Sequence, residues 1–90
     1  MSETIWRRND NWVGSQIEDA YVMLNFDGGE YVSLNRTATD IWNALETPSK
    51  ASQIVKTLIA SYNIPDEQCA KSVERLLVEL KAEGLISPDT

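Results

Sequence analysis

The sequence predicts an α+β domain in which a three-stranded antiparallel sheet is followed by three helices. Three observations carry this. Residues 12–34 contain three short segments rich in β-branched, aromatic and aliphatic residues, two of them joined by a glycine turn. From residue 35 onward, apolar residues recur at helical rather than alternating spacing. Proline-containing breaks at Thr47-Pro48-Ser49 and Asn63-Ile64-Pro65 divide that second stretch into three helices.

Residues 1–11 are polar apart from Ile5 and Trp6 and read as a flexible N-terminal segment. Trp12–Ile17 fits a first strand and Tyr21–Phe26 a second. Asp27-Gly28-Gly29-Glu30 is a hairpin turn, because glycine accepts the positive φ that a tight turn demands. Tyr31–Leu34 returns as the third strand. Alternation places Val22, Leu24 and Phe26 on the inner face with Val32 and Leu34, and turns Tyr21, Met23, Tyr31 and Ser33 outward. Asn35 is placed to cap a helix over about residues 36–46, whose apolar face is Ala38, Ile41, Trp42 and Leu45. A second helix covers about residues 50–62, with Ile54, Val55, Leu58, Ile59 and Tyr62 on one stripe. Pro65 suits a first helical position, and Asp66 and Glu67 complement the dipole of a third helix. That helix runs to about Glu83 and turns Cys69, Val73, Leu76, Leu77 and Leu80 inward. Gly84 fits the left-handed position that closes it, and Leu85 and Ile86 are expected to dock back on the core. The sheet's inner face gives the helices something to cover, so the helical part is winged-helix-like.

Composition excludes several functions. The 90 residues include 8 Lys and Arg, 14 Asp and Glu and no histidine, for a net charge of −6. That balance argues against a nucleic-acid partner and an anionic membrane surface, both of which need clustered cations. Without histidine there is no His-based triad and no imidazole metal ligand. One cysteine, Cys69, builds neither a disulfide framework nor a Cys-rich metal site, and its inward position reads as a small buried hydrophobe. No glycine-rich phosphate loop and no defensible pair of catalytic carboxylates occurs, so neither an enzyme nor a cofactor is expected. No apolar run approaches a membrane span and the N-terminus lacks a secretory signal, which suggests a cytoplasmic chain.

Two features remain that carry function. The strand Tyr31, Val32, Ser33, Leu34 falls at the edge of the meander without the lysine or proline that usually blunts an edge. It is either covered by the protein's own helix or free to accept another strand. The third helix also has a second face, with Val78 lying well outside the inward stripe beside Lys71 and Arg75. That face is either ordinary solvated surface with one valine or the wall of a peptide groove. A free edge beside such a helix is what β-strand addition needs. Trp42 reads as a core anchor. Trp6 and Trp12 fit either packing over the sheet or holding a ligand.

Gly29-Glu30-Tyr31-Val32-Ser33-Leu34-Asn35, then Thr37-Ala38 and Ile41-Trp42, resembles the PqqD-like proteins. So do Ile54-Val55, Leu58, Tyr62 and the closing run Leu80–Ile86. The match covers about residues 12–86. These are small peptide chaperones and recognition elements for ribosomally made, post-translationally modified peptides. The resemblance implies a peptide-binding domain over residues 12–86 with no catalysis of its own. It implies that the leader of a precursor peptide adds as a strand beside Tyr31, Val32, Ser33 and Leu34. The leader would pack against Lys71, Arg75 and Val78 of the third helix, with Lys71 and Arg75 steering an acidic leader residue. The expected partners are the precursor leader and a modifying enzyme such as a leader peptidase or cyclase. The Ile41-Trp42 pair and the chain length resemble the stand-alone versions of lasso-peptide biosynthesis. The competing reading is a winged-helix DNA-binding regulator. Against it, Asp66 to Glu83 holds five acids to the three cations Lys71, Arg75 and Lys81.

Overall fold

The computed structural model describes residues 3–89. The elements in chain order are β1 (Ile5–Arg8), β2 (Trp12–Ile17), β3 (Ala20–Asn25), β4 (Tyr31–Leu34), α1 (Arg36–Ala44), β5 (Ser49–Lys50), α2 (Ala51–Ile59), α3 (Asp66–Ala82) and β6 (Ile86–Pro88). The α+β class and the three helices stand as expected. The simple order of strands then helices does not, because there are two three-stranded antiparallel sheets. One has the order β2-β3-β4 and the other β5-β1-β6.

The second sheet draws on residues 5–8 of the segment expected to be flexible. Met1 and Ser2 lie outside the described residues. β1 pairs with β6 through Trp6, Arg7 and Arg8 and with β5 through Ile5 and Trp6. The Asn9 amide donates to the Leu85 carbonyl at 2.9 Å, and the Asn9 side chain donates to the Gly84 carbonyl at 2.7 Å. Arg8 stacks on the Trp42 ring, 4.6 Å from its centroid, while its Nε donates to the Trp42 carbonyl at 2.9 Å. That carbonyl belongs to the last turn of α1 and also accepts from the Leu45 amide at 3.1 Å. A four-residue strand with two arginines has no alternating apolar pattern, and its β6 partners lie about 80 residues away.

In the first sheet the register pairs Tyr21 with Leu34 and Met23 with Val32, and Leu24 with Tyr31. Cross-strand partners share a face. Met23 is therefore inner and fully buried, whereas Leu24 and Phe26 are 44% and 61% exposed. This reverses the facing expected for the second strand. Val32 and Leu34 are inner as expected, and Tyr31 and Ser33 outer. The cause is the even length of the turn: the Asn25 amide bonds the Glu30 carbonyl across the four residues 26–29, so odd residues of β3 oppose even residues of β4. Asn25 ends β3, its side-chain oxygen accepts from the Asp27 amide at 2.9 Å, and Phe26 leaves the ladder to β4.

The helices behave as the apolar spacing predicts. Asn35 caps α1, its side-chain oxygen accepting from the Ala38 amide at 2.8 Å. Ile41, Trp42, Ile54 and Leu58 are buried, as are Cys69, Val73, Leu76, Leu77 and Leu80 of α3. At the end of α3 the Leu85 amide reaches the Leu80 carbonyl and the Gly84 amide the Lys81 carbonyl. Gly84 takes φ +82, the left-handed position of this closing motif. The turn drives Leu85 and Ile86 into the core, where both are buried.

Candidate functional site

Among the described residues, no strand pairs with the outer edge of β4. The orientation of its backbone follows from two bonds. The Asn25 amide donates to the Glu30 carbonyl at 2.7 Å, and the Phe26 amide to the Asn11 carbonyl at 3.2 Å. In an antiparallel ladder bonded and non-bonded pairs alternate. Odd residues of β3 therefore bond β4 and even residues bond β2. Val32 and Leu34 are tied into the sheet, while the N–H and C=O groups of Tyr31 and Ser33 point to the free edge. The same alternation sends the Tyr31 side chain to the outer face, where it is 76% exposed.

A groove of about 510 Å3 runs beside this edge. One wall is Tyr31, Val32, Ser33 and Leu34, and the floor is Leu34, Ala38 and Leu80. The facing wall of α3 supplies Leu76, Glu79, Ala82 and Glu83. A smaller cavity of about 280 Å3 continues the groove past Asn35 and Leu76, which line both. It reaches between α2 and α3 to Tyr62, Ser72 and Arg75.

The four strand residues chosen from the sequence thus come together on the groove. Of the three helix residues, Arg75 lines the adjoining cavity and pairs with Glu79 at 3.9 Å. Lys71 and Val78 line neither. Lys71 pairs with Glu67 at 3.7 Å, and Val78 is exposed on the far side of α3. The wall next to the sheet borders the buried stripe rather than opposing it. At 100° per residue, Glu79 and Glu83 follow directly on Leu76, whereas Val78 sits about 160° away from it. That angular order was the signal available in the sequence.

The thiol and the phenol that line this cavity both favour the neutral form. Burial pushes the Cys69 thiol up, with Asp66 adding to the shift. Tyr62 donates a hydrogen bond to the Asp40 carboxylate, which together with burial raises the phenol above its ordinary value. A neutral buried thiol is a poor nucleophile. Among the described residues, no cluster of three or more Asp, Glu, Cys or His could hold a metal ion. Backbone donors and acceptors, an apolar floor and charged walls fit the recognition of an extended chain.

The family described as coenzyme PQQ synthesis protein D (PqqD) matches residues 20–86. The chain belongs to the PqqD family. The matched span runs from the start of β3 into β6 and so includes the whole groove. No curated protein matches the sequence. Two solved structures resemble this PqqD-family chain. One is TbiB1 in complex with the TbiA(beta) leader peptide, with a TM-score of 0.79 and 25% identity over 90% of this chain and 94% of that one. The other is lasso peptide synthetase B1 complexed with the leader peptide, with a TM-score of 0.79 and 24% identity over 92% of this chain and 98% of that one.

Proposed function

We propose that this chain is a non-catalytic adaptor of lasso-peptide biosynthesis. It captures the leader of a ribosomal precursor peptide by β-strand addition along β4 and presents the attached core to a modifying enzyme, such as a leader peptidase or cyclase. The observation that carries the reading is the row of outward-facing backbone groups at Tyr31 and Ser33, open to a groove walled by α3. Family membership supports it, and so does the likeness to a protein solved with its leader peptide. Main-chain hydrogen bonds supply affinity in this mode, and side-chain pockets supply register. Holding leader and core together turns the enzyme's encounter with its substrate into a local event, at effective concentrations of about millimolar where geometry permits. DNA binding is disfavoured by the acidic surface of α3.

The test is a titration of 15N-labelled protein with a synthetic leader segment of a lasso-peptide precursor. The amides of Tyr31 and Ser33, and those of Leu76, Glu79 and Glu83, are expected to shift together. Shifts confined to other surfaces, or none at all, overturn the proposal.

A further inference from the structure

The groove is charged unevenly along its length. Lys71, Arg75, Glu79 and Glu83 follow one another at i, i+4 spacing, forming one ridge along α3 and its C-cap. The ridge winds toward β4 as it nears the end of the helix. Lys71 therefore lines neither cavity, Arg75 lines the one beyond Asn35, and Glu79 and Glu83 line the groove proper.

The sheet fixes which end is which. Trp12 pairs with Asn25 and bonds to the Gly84 carbonyl, while Asn25 bonds to Glu30. The start of β4 thus lies at the C-terminal end of α3. At the other end Arg36 follows Asn35 and stands 5.6 Å from the centroid of the Tyr62 ring, which lines the same cavity as Arg75. Glu79 and Glu83 thus make one end of the groove acidic, and Arg75 is the cation of the cavity at the other end, where Arg36 lies beside Asp40.

The carboxylates hold unfavourable positions in the free protein. Glu79 and Glu83 are like charges four residues apart, and both lie where the helix dipole disfavours anions. Glu79 meets Arg75 only at 3.9 Å across two exposed side chains, and no ion pair among the described residues includes Glu83. A cationic group in the groove would offset both penalties.

We infer that the groove reads the direction of its peptide by charge, taking a segment with Lys or Arg over the Tyr31 end and Asp or Glu over the Asn35 end. This rests on the strand-addition reading above. Four residues of strand separate the two ends, about 13 Å. The sheet is antiparallel throughout, so antiparallel addition continues it and makes the acidic residue the N-terminal one. A reversed segment meets like charge at both ends, which is discrimination by repulsion as well as attraction.

Two synthetic peptides test this by fluorescence polarisation. They share composition and an alternating apolar frame, one with the acidic residue four positions before the basic one and the other with the two exchanged. The acidic-first peptide is expected to bind roughly three- to tenfold more tightly, and the difference to fade by about 0.5 M salt. Glu83→Gln should narrow the preference while raising the thermal midpoint of the free protein, because it removes one of two repelling charges. Equal affinity for the two peptides overturns the charge polarity and leaves strand addition standing. Binding of neither, together with unmoved β4 amides in the leader titration, overturns both. A lower midpoint for Glu83→Gln overturns the claim that this carboxylate is held at a cost to the free fold.

Discussion

The indole Nε1–H of Trp12 donates to the carbonyl oxygen of Gly84 at 2.9 Å. This bond joins β2, at the edge of the sheet away from β4, to the turn that closes α3, and so ties the sheet to the helix that walls the groove. Trp12→Phe removes the donor and shrinks a buried ring. The Gly84 carbonyl keeps its bond from Asn9, so it is not orphaned. The expected loss is about 1–2 kcal/mol, read as a lower denaturant midpoint at unchanged slope, with weaker leader binding by the folded variant.

The facing of β3 makes a sharper prediction. Met23 is fully buried between the sheet and the helices, and its neighbour Leu24 is 44% exposed on the opposite face. Met23→Ala should cost about 2–4 kcal/mol, because it opens a cavity in a packed core. Leu24→Ala should cost well under half as much. Comparable losses in denaturant unfolding would contradict the register in which Met23 opposes Val32.

Much of this arrangement was legible in the sequence, for reasons that differ by element. The helices were, since Ile41, Trp42 and the α3 stripe repeat at a spacing that only one structure satisfies. The edge at Tyr31–Leu34 was, because a glycine turn fixes its neighbour. Two things were hidden. The inner face of β3 depended on whether the turn holds an even or an odd number of residues, and a change of one exchanges Met23 for Leu24. The second sheet depended on Arg7 and Arg8 finding Ser87 and Ile86, a pairing with no local signature. On α3 the exposed Val78 stands apart from the groove wall. The wall instead adjoins the core, where Glu79 and Glu83 border Leu76.

The hydrogen bond from Tyr62 to Asp40 ties α2's exit to α1 and gives a pH dependence. The bond, first, and burial, second, raise the Tyr62 phenol above its ordinary value near 10. A pKa raised on folding contributes stability that is complete below the unfolded value and is lost as pH rises through the folded one. Unfolding free energy should therefore decline above pH 10 in the native protein, and Tyr62→Phe should remove that component of the decline while lowering stability at neutral pH. Denaturant titrations from neutral to about pH 11 decide it. A Tyr62→Phe variant with the same alkaline profile as the native protein would show that the phenol is not perturbed.

Proline substitution separates the two edges of β4. The Val32 amide faces β3, so Val32→Pro breaks the sheet's own ladder and is expected to unfold the hairpin. The Ser33 amide faces the free edge, where proline is tolerated because no ladder bond is lost. Ser33→Pro should therefore keep the circular dichroism spectrum and lie within about 1 kcal/mol of native stability. It should nonetheless lower leader affinity tenfold or more, as one backbone bond disappears and the ring obstructs the incoming strand (roughly 1.4 kcal/mol per tenfold). Undiminished leader binding by a folded Ser33→Pro protein would mean that the peptide does not add at this edge.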